Sequence, residues 1–153
     1  MIAAIRIRGH VNVNRNIEAT MKMLNLTRAN HCSLIRENPS YLGMLQKVKD
    51  YITFGQVSSE VLVELITKRG RLVGDIPITE EYIRENTDYD SIGSLVDALI
   101  SEELNYKDIP NVKPIFRLHP PIKGHTTIKR SFVAGGALGN REAAIDDLIR
   151  RML

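Results

Sequence analysis

The spacing of apolar residues over the first 57 positions predicts three short strands separated by two helices. Ile5 and Ile7 share one face of the opening strand, and the arginines at positions 6 and 8 share the other. Asn38-Pro39 is typical of a helix start, because Asn caps free amides and Pro needs no amide partner there. The predicted strands are Met1–Arg8, His31–Arg36 and Tyr51–Phe54, and the helices are Asn14–Leu26 and the segment after Asn38. This order is a β-α-β-α-β unit.

Residues 58–153 are predicted to be a mainly helical extension of that unit. Short strands are also predicted in it, over Ile115–Leu118 and Thr127–Val133. The sequence therefore predicts a domain over residues 1–57 and an extension over 58–153, within which residues 109–141 are extended and basic. Apolar stripes predict helices after Ser58 and Ser59, after Thr79, over Ile92–Ile100 and at the C-terminus, where Asn140 is the expected cap.

The composition is typical of a soluble globular protein and indicates the cellular compartment in which we expect it. No apolar run approaches the length of a membrane span. Arg6 and Arg8 interrupt the stretch that an export signal would need, so we expect a cytoplasmic protein. Cys32 is the only cysteine, which excludes an internal disulfide, and its alternation with Leu34 predicts a buried side chain rather than a nucleophile.

The net charge of +3 hides three blocks of opposite sign. Residues 1–74 hold 11 Lys and Arg against 5 Asp and Glu, residues 75–108 hold 2 against 10, and residues 109–153 hold 8 against 3. The blocks therefore carry +6, −8 and +5. Such blocks bear on binding partners rather than on the fold.

A segment of 33 residues, Ile109–Arg141, contains no acidic residue. An extended segment of one charge sign indicates that a polyanion supplies the missing negative charge, which favours nucleic acid. A solvated loop that merely lacks acids is the alternative. The segment contains Lys113, Arg117, His119, Lys123, His125, Lys129, Arg130 and Arg141.

Two further groups are candidate anion-binding sites. The first strand and the polar loop after it contain Arg6, Arg8, His10, Asn12, Asn14 and Arg15. The amides of such a loop and the guanidinium groups of its arginines can bind phosphate. An exposed sheet face with a capping loop explains the same residues. The second group is the glycine-rich stretch Gly135–Gly139, predicted to be a loop ahead of the last helix where backbone amides admit a phosphate. A plain helix-entry turn is its alternative.

Catalysis has no positive support in this sequence. The glycine-rich stretch lacks the Gly-Lys-Ser/Thr signature of a nucleotide-binding loop, so an RNA phosphate is the better expected ligand. The four histidines lack cysteine or carboxylate neighbours at metal-ligand spacing, and we expect no metal and no cofactor.

The chain resembles the archaeal form of the large-subunit ribosomal protein that is called L-thirty in bacteria, with the eukaryotic counterpart L-seven. Leu26-Thr27-Arg28, Gly43-Met44 and Lys47-Val48 are similar to the short bacterial form. Gly135–Glu142 and Leu148–Met152 are similar to the longer archaeal and eukaryotic extension. The resemblance covers essentially the whole chain.

The resemblance implies an α+β fold, with a three-stranded ferredoxin-like sheet, two helices on one face, and an added helical part. It implies a structural protein of the large ribosomal subunit that binds and stabilises folded rRNA beside neighbouring ribosomal proteins. An RNA-modifying or nucleotide-binding enzyme and an adaptor that uses the acidic helices are the alternatives. The residues expected to contact RNA are Arg6, Arg8, His10, Arg15, Arg28, Lys47, Lys123, His125, Lys129, Arg130, Gly135, Gly136 and Arg141.

Overall fold

The computed structural model describes all residues, Met1–Leu153, and forms one mixed sheet with helices on both faces. Short 3₁₀ turns lie at Tyr106–Asp108, Phe132–Ala134 and Glu142–Ala144. The strands are β1 (Ile2–Arg6), β2 (His31–Ile35), β3 (Ile52–Gln56), β4 (Phe116–Arg117), β5 (Thr127–Ser131) and β6 (Gly136–Asn140). The helices are α1 (Arg15–Met23), α2 (Pro39–Val48), α3 (Ser59–Arg69), α4 (Glu80–Asn86), α5 (Ile92–Ile100) and α6 (Ile145–Met152).

The centre of the sheet is the predicted three-stranded unit, and the sheet is larger than predicted. Its six strands lie in the order β4-β2-β1-β3-β6-β5. β1 is antiparallel to both neighbours, with Ile5 opposite Cys32 on one side and opposite Thr53 on the other. The added strands β4 and β6 extend the two edges of this unit, and β6 runs parallel to β3. The α+β class and the ferredoxin-like centre are confirmed.

α1 and α2 cover one face of the sheet, as predicted. Their core contains Met21, Leu24, Leu45 and Val48 packed on alternate strand residues such as Ile52. Both helices begin at the predicted caps, since the Asn14 side chain accepts a hydrogen bond from the Asn16 amide and that of Asn38 from the Ser40 amide. Leu42 of α2 lies at the solvent edge of this core, with 36% of its surface exposed.

The extension covers the opposite face of the same sheet. Here Ile5 and Cys32 from the strands join the larger of the two cores, to which α3, α5 and α6 contribute 12 of the 26 buried side chains. Leu65, Leu99 and Ile149 are fully buried in it. Both faces of the central strands are therefore covered, and strand residues point into a core on either side.

The glycine-rich stretch after residue 135 is a strand, so its prediction as a loop ahead of the last helix is wrong. Residues 136–140 form β6, which pairs with β3 and β5. Asn140 does not cap α6 either. Its side chain accepts a hydrogen bond from the Glu142 amide within a turn, and a 3₁₀ turn separates it from the helix.

No helix of the structure combines the length and the apolar character that crossing a membrane would require.

Candidate nucleic-acid interface

The strand directions bring the predicted basic residues to one end of the sheet. The register pairs Arg6 with Ile52 and Ile5 with Cys32, so β1 ends where β2 and β3 begin. β6 is parallel to β3 and therefore begins at the same end, while α2 reaches it with its last turn. We call this the basic end. The predicted residues that lie there are Arg8, His10, Arg15, Arg28, Lys47, Lys123, His125, Lys129 and Arg130. Arg141 instead follows the far end of β6, and its side chain reaches back to Thr53 and Ala137.

Acidic side chains lie at the opposite end of the sheet, where β1 begins and β2 and β3 end. The Glu102 carboxylate accepts a hydrogen bond from the Glu37 amide just after β2. The Asp146 carboxylate accepts one from the Ser58 amide just after β3. These acidic side chains therefore lie at the end of the sheet away from most of the predicted cations.

Arg6 does not belong to the exposed part of the basic end, so its predicted contact with RNA is not supported by this conformation. The side chain is completely buried, at 0% exposure, beneath the chain that follows α1. Its Nη1 donates to the carbonyls of Leu26 and Thr27 at 2.9 Å, and its Nε donates to the Arg8 carbonyl at 2.8 Å. Burial lowers the pKa of Arg6 from its ordinary value. The guanidinium holds two loops together instead of facing solvent.

The loop after β1 presents the next cations to solvent. The Arg8 guanidinium lies 4.9 Å from the centre of the Tyr51 ring and donates to the Asp50 carbonyl at 3.3 Å. Such stacking keeps the charge while restricting the side chain. The side chains of His10 and Arg15 are exposed and make no hydrogen bond within the protein, so both are accessible to a ligand.

The edge strand β5 carries exposed cations. We define the arm as residues 122–136, which contain β5 and its flanking turns. All five residues of β5 are exposed, including Lys129 and Arg130, and Lys123 is exposed in the turn before it. Ile128 and Val133 are exposed apolar residues of the same arm. A strand with one open edge, two cations and apolar side chains can meet both phosphates and bases.

Two arginines attach the arm to the rest of the molecule. The Arg141 guanidinium lies 4.7 Å from the Phe132 ring centre, and it donates to Thr53 Oγ1 at 2.9 Å and to the Ala137 carbonyl at 3.0 Å. Arg151, which the sequence analysis did not select, donates to the carbonyls of Ile122 and Gly124. Arg141 is thus half-buried and positions the arm, whereas its prediction was a direct contact with RNA.

His125 belongs to the arm and is close enough to Arg141 and Arg151 to feel their charges. Burial lowers the pKa of His125, and the charges of Arg141 and Arg151 lower it further. Both ring nitrogens are shielded and have no hydrogen-bond partner. His125 is therefore less accessible than its place in a basic segment suggested.

The two glycines at the base of the arm allow a turn and a close contact of the backbone. Gly135 adopts a left-handed conformation, with φ of 78°, and ends the turn between β5 and β6. Gly136 is buried, and a Cβ there would lie 2.1 Å from the Arg130 carbonyl oxygen. The backbone of β5, at Arg130, occupies the space next to Gly136. An RNA phosphate cannot approach Gly136 in this conformation, so that prediction is wrong here.

Arg28 lies in an exposed loop beside residues that the sequence analysis did not select. His31 pairs with Arg117 across β2 and β4, and Arg28 and Lys113 line the same cleft of about 390 Å³. Lys113 and Arg117 both lie in the segment without acids, and this position was the only sequence feature that could have identified them. Their proximity to Arg28 was not predictable, because it depends on the pairing of β4 with the edge of the sheet.

The structure offers little support for a reactive thiol or a metal site. Cys32 is buried, and burial raises the pKa of its thiol to about 12, which disfavours a reactive thiolate. No three His, Cys, Asp or Glu side chains come together as a metal site would require. The predicted burial of Cys32 is confirmed.

Comparison with known proteins decides the family. The family model described as "Ribosomal protein L30p/L7e" matches residues 2–52. A protein of Methanosphaera stadtmanae named "Large ribosomal subunit protein uL30" is 50% identical over 153 residues, which is all of both chains. The chain belongs to the L30p/L7e family of ribosomal proteins. The resemblance inferred from the sequence is confirmed.

The L30p/L7e relatives also show which form of the family the chain represents. Proteins of the same name from Methanocorpusculum labreanum and Methanopyrus kandleri are 46% and 50% identical. The first match covers 99% of both chains, and the second covers 96% of this chain and 100% of the relative. These relatives are archaeal and match the extension as well as the family segment, so the archaeal long form is confirmed.

Proposed function

We propose that this L30p/L7e protein is a structural constituent of the large ribosomal subunit that binds folded rRNA through the basic end of its sheet. The observation that carries the proposal is the convergence of exposed cations from separate segments of the chain. Arg8, Arg28 and Lys129 come from three loops or strands and lie at one end. The archaeal relatives, named as large-subunit proteins, support the identity of the assembly.

Electrostatics gives the mechanism of binding. Each Lys or Arg that neutralises a phosphate releases condensed counterions, so affinity decreases steeply with salt. The loop after β1 and the arm project from a rigid sheet, and both can therefore enter grooves of a folded RNA while the core stays intact. Such a protein stabilises an RNA fold by bridging strands that would otherwise repel each other.

The remaining partners follow from the charge separation. Acidic residues at the opposite end, such as Glu37 and Glu102, are repelled by phosphate, so we expect that end to face solvent or a basic neighbouring ribosomal protein. We expect the protein in cytoplasmic ribosomes, without a cofactor and without catalytic activity. The nucleotide-binding alternative loses its main basis because Gly136–Asn140 is a paired strand.

Hydrogen–deuterium exchange of the intact protein with purified large-subunit rRNA tests the proposal. Binding should slow exchange in the loop after β1 and in the arm, because those amides become shielded. The segment around Glu102 serves as the internal control and should not change. Protection confined to the acidic end would contradict the proposal. Binding of free nucleotide instead of rRNA would favour the enzyme alternative.

A further inference from the structure

A cleft at the outer edge of β4 has the composition of an anion site. Its polar lining consists of Thr27, Arg28, His31, Lys113 and Arg117, with Pro114 and Ile115 as its apolar floor. No Asp or Glu lines it. Its volume of about 390 Å³ exceeds what one phosphate group occupies, which leaves room for the adjoining sugar.

We propose that this cleft binds one phosphate group of an RNA backbone, with Arg28, Lys113 and Arg117 as the charged donors. The inference rests on the proposed function and adds to it a second contact region, separated from the arm by the full width of the sheet. β4 and β5 are the two outermost strands, so an RNA that reaches both must span the whole basic end.

The cleft walls are held in place by interactions that do not use its donors. Arg6 donates to the Thr27 carbonyl from beneath, and the Leu118 amide donates to the Asn30 carbonyl at 3.1 Å. Thr27 Oγ1 lies 3.2 Å from His31 Nδ1. The loop that presents Arg28 is thus fixed to β1 and to the residue after β4. Buried Arg6 therefore acts as a positioning residue for the interface.

Asp75 provides the internal counterion that an arriving phosphate replaces. Its carboxylate accepts from Lys113 Nζ at 2.5 Å and from Arg117 Nη1 at 3.4 Å. Asp75 lines the adjoining cleft, and the two cations line both. The Arg117 side chain is 65% exposed and that of Asp75 is 56% exposed, so water screens this pair and the cations can turn towards a phosphate.

His31 is subject to the charges of the cations around the cleft. Burial lowers the pKa of His31, and the charges of Arg117, Arg28 and Arg6 lower it further. Lys113 lines the same cleft. A phosphate between these groups would offset the repulsion and favour the protonated ring.

Paired variants of the intact protein test the cleft. Arg117→Gln removes a proposed donor, and Arg84→Gln removes an exposed arginine of α4 on the acidic segment. Binding to purified large-subunit rRNA is measured over a range of salt concentrations. Arg117→Gln should reduce the salt slope by about 0.7–0.9 and weaken binding about five- to eightfold near 0.1 M salt. Arg84→Gln should do neither.

The opposite charge change should strengthen binding. Asp75→Asn removes the competing carboxylate and should tighten rRNA binding, whereas Asp88→Asn makes the same charge change in the acidic segment and should have less effect. Circular dichroism verifies that each variant is folded. If wild-type protein binds rRNA and both Arg117→Gln and Asp75→Asn bind it as their control variants do, the proposed phosphate site in the cleft is overturned while the proposed function stands. If wild-type protein does not bind rRNA, both proposals are overturned.

A spectroscopic readout tests the cleft without RNA. The His31 ring is followed by NMR during a pH titration in inorganic phosphate and in chloride of equal ionic strength. The pKa of His31 should be higher in phosphate, and Arg117→Gln should reduce that difference. Equal titration curves in the two salts would contradict a phosphate site at this position.

Discussion

At the residue scale, burial determines which arginines are free to bind a ligand. The alternation over β1 correctly placed Arg6 and Arg8 opposite Ile5. It could not show that α1 and the loop after it cover that face, because this depends on tertiary packing. Arg6 therefore became a structural residue while Arg8, at the strand end, stayed accessible.

Replacement of Arg6 should destabilise the fold. Arg6→Met leaves the Leu26 and Thr27 carbonyls without their donor, and we expect the free energy of unfolding to decrease by about 1–3 kcal/mol. Arg6→Met also removes Nη2, a buried nitrogen without a hydrogen-bond partner, and this removal offsets part of the loss in the free energy of unfolding. Urea denaturation measures the change. Arg8→Met removes only stacking and one long hydrogen bond and should cost less than about 1 kcal/mol. An Arg6 variant as stable as the wild type would refute this role.

The two half-buried histidines should make stability depend on pH. The folded-state pKa of His31 lies below its ordinary value of 6.5. Between this lowered pKa and about pH 6.5 the unfolded chain therefore binds more protons than the folded chain, so the free energy of unfolding decreases as the pH falls through that range.

His31→Gln should flatten this dependence between pH 7 and pH 5, with His125 retaining its share. Chemical denaturation at a series of pH values measures the slope, and His10→Gln, at an exposed position, is the matched control. A slope that His31→Gln leaves unchanged would show that the histidine gains no proton on unfolding.

At the element scale, the sequence predicted helices better than the added strands. Helix caps such as Asn14 and Asn38 act within a few residues, so local sequence determines them. β6 was missed because its glycines resemble a loop, and its strand conformation depends on pairing with β3, which is more than 80 residues away in the chain. β4 and β5 lay within the predicted segments.

The two glycines Gly136 and Gly43 should respond oppositely to alanine. Gly136→Ala would bring a methyl group against the Arg130 carbonyl, and we expect a loss of roughly 1–3 kcal/mol in the free energy of unfolding. Gly43 lies inside α2 with open space around it, and Gly43→Ala should increase stability by about 0.5–1 kcal/mol. Thermal and urea denaturation distinguish the two. Equal effects would contradict the close packing of β5 on β6.

At the scale of the whole molecule, chain direction explains why the predicted binding residues converge. The charge blocks were visible in the sequence, but the position of most predicted cations at one end of the sheet was not, because it depends on strand order and register. The extension also shares the sheet and one core with the first unit. Its strands extend the sheet and its Leu148 and Ile149 belong to the core, so deletion after Asp108 would remove part of the fold as well as the cations.

Charge-neutralising variants avoid that problem and test the central claim most directly. One variant replaces Arg28, Lys129 and Arg130 with glutamine, and a matched variant replaces Arg84, Lys107 and Arg150. Each removes two arginines and one lysine at exposed positions, the first set at the basic end and the second elsewhere.

The decisive measurement is the salt dependence of binding to purified large-subunit rRNA for wild type and both variants. The first variant should lose about two to three units of slope in log affinity against log salt, since each lost phosphate contact removes about 0.7–0.9. The matched variant should keep nearly the wild-type slope. Equal losses in the two variants would contradict a binding surface at the basic end and would reduce the interaction to nonspecific attraction by net charge.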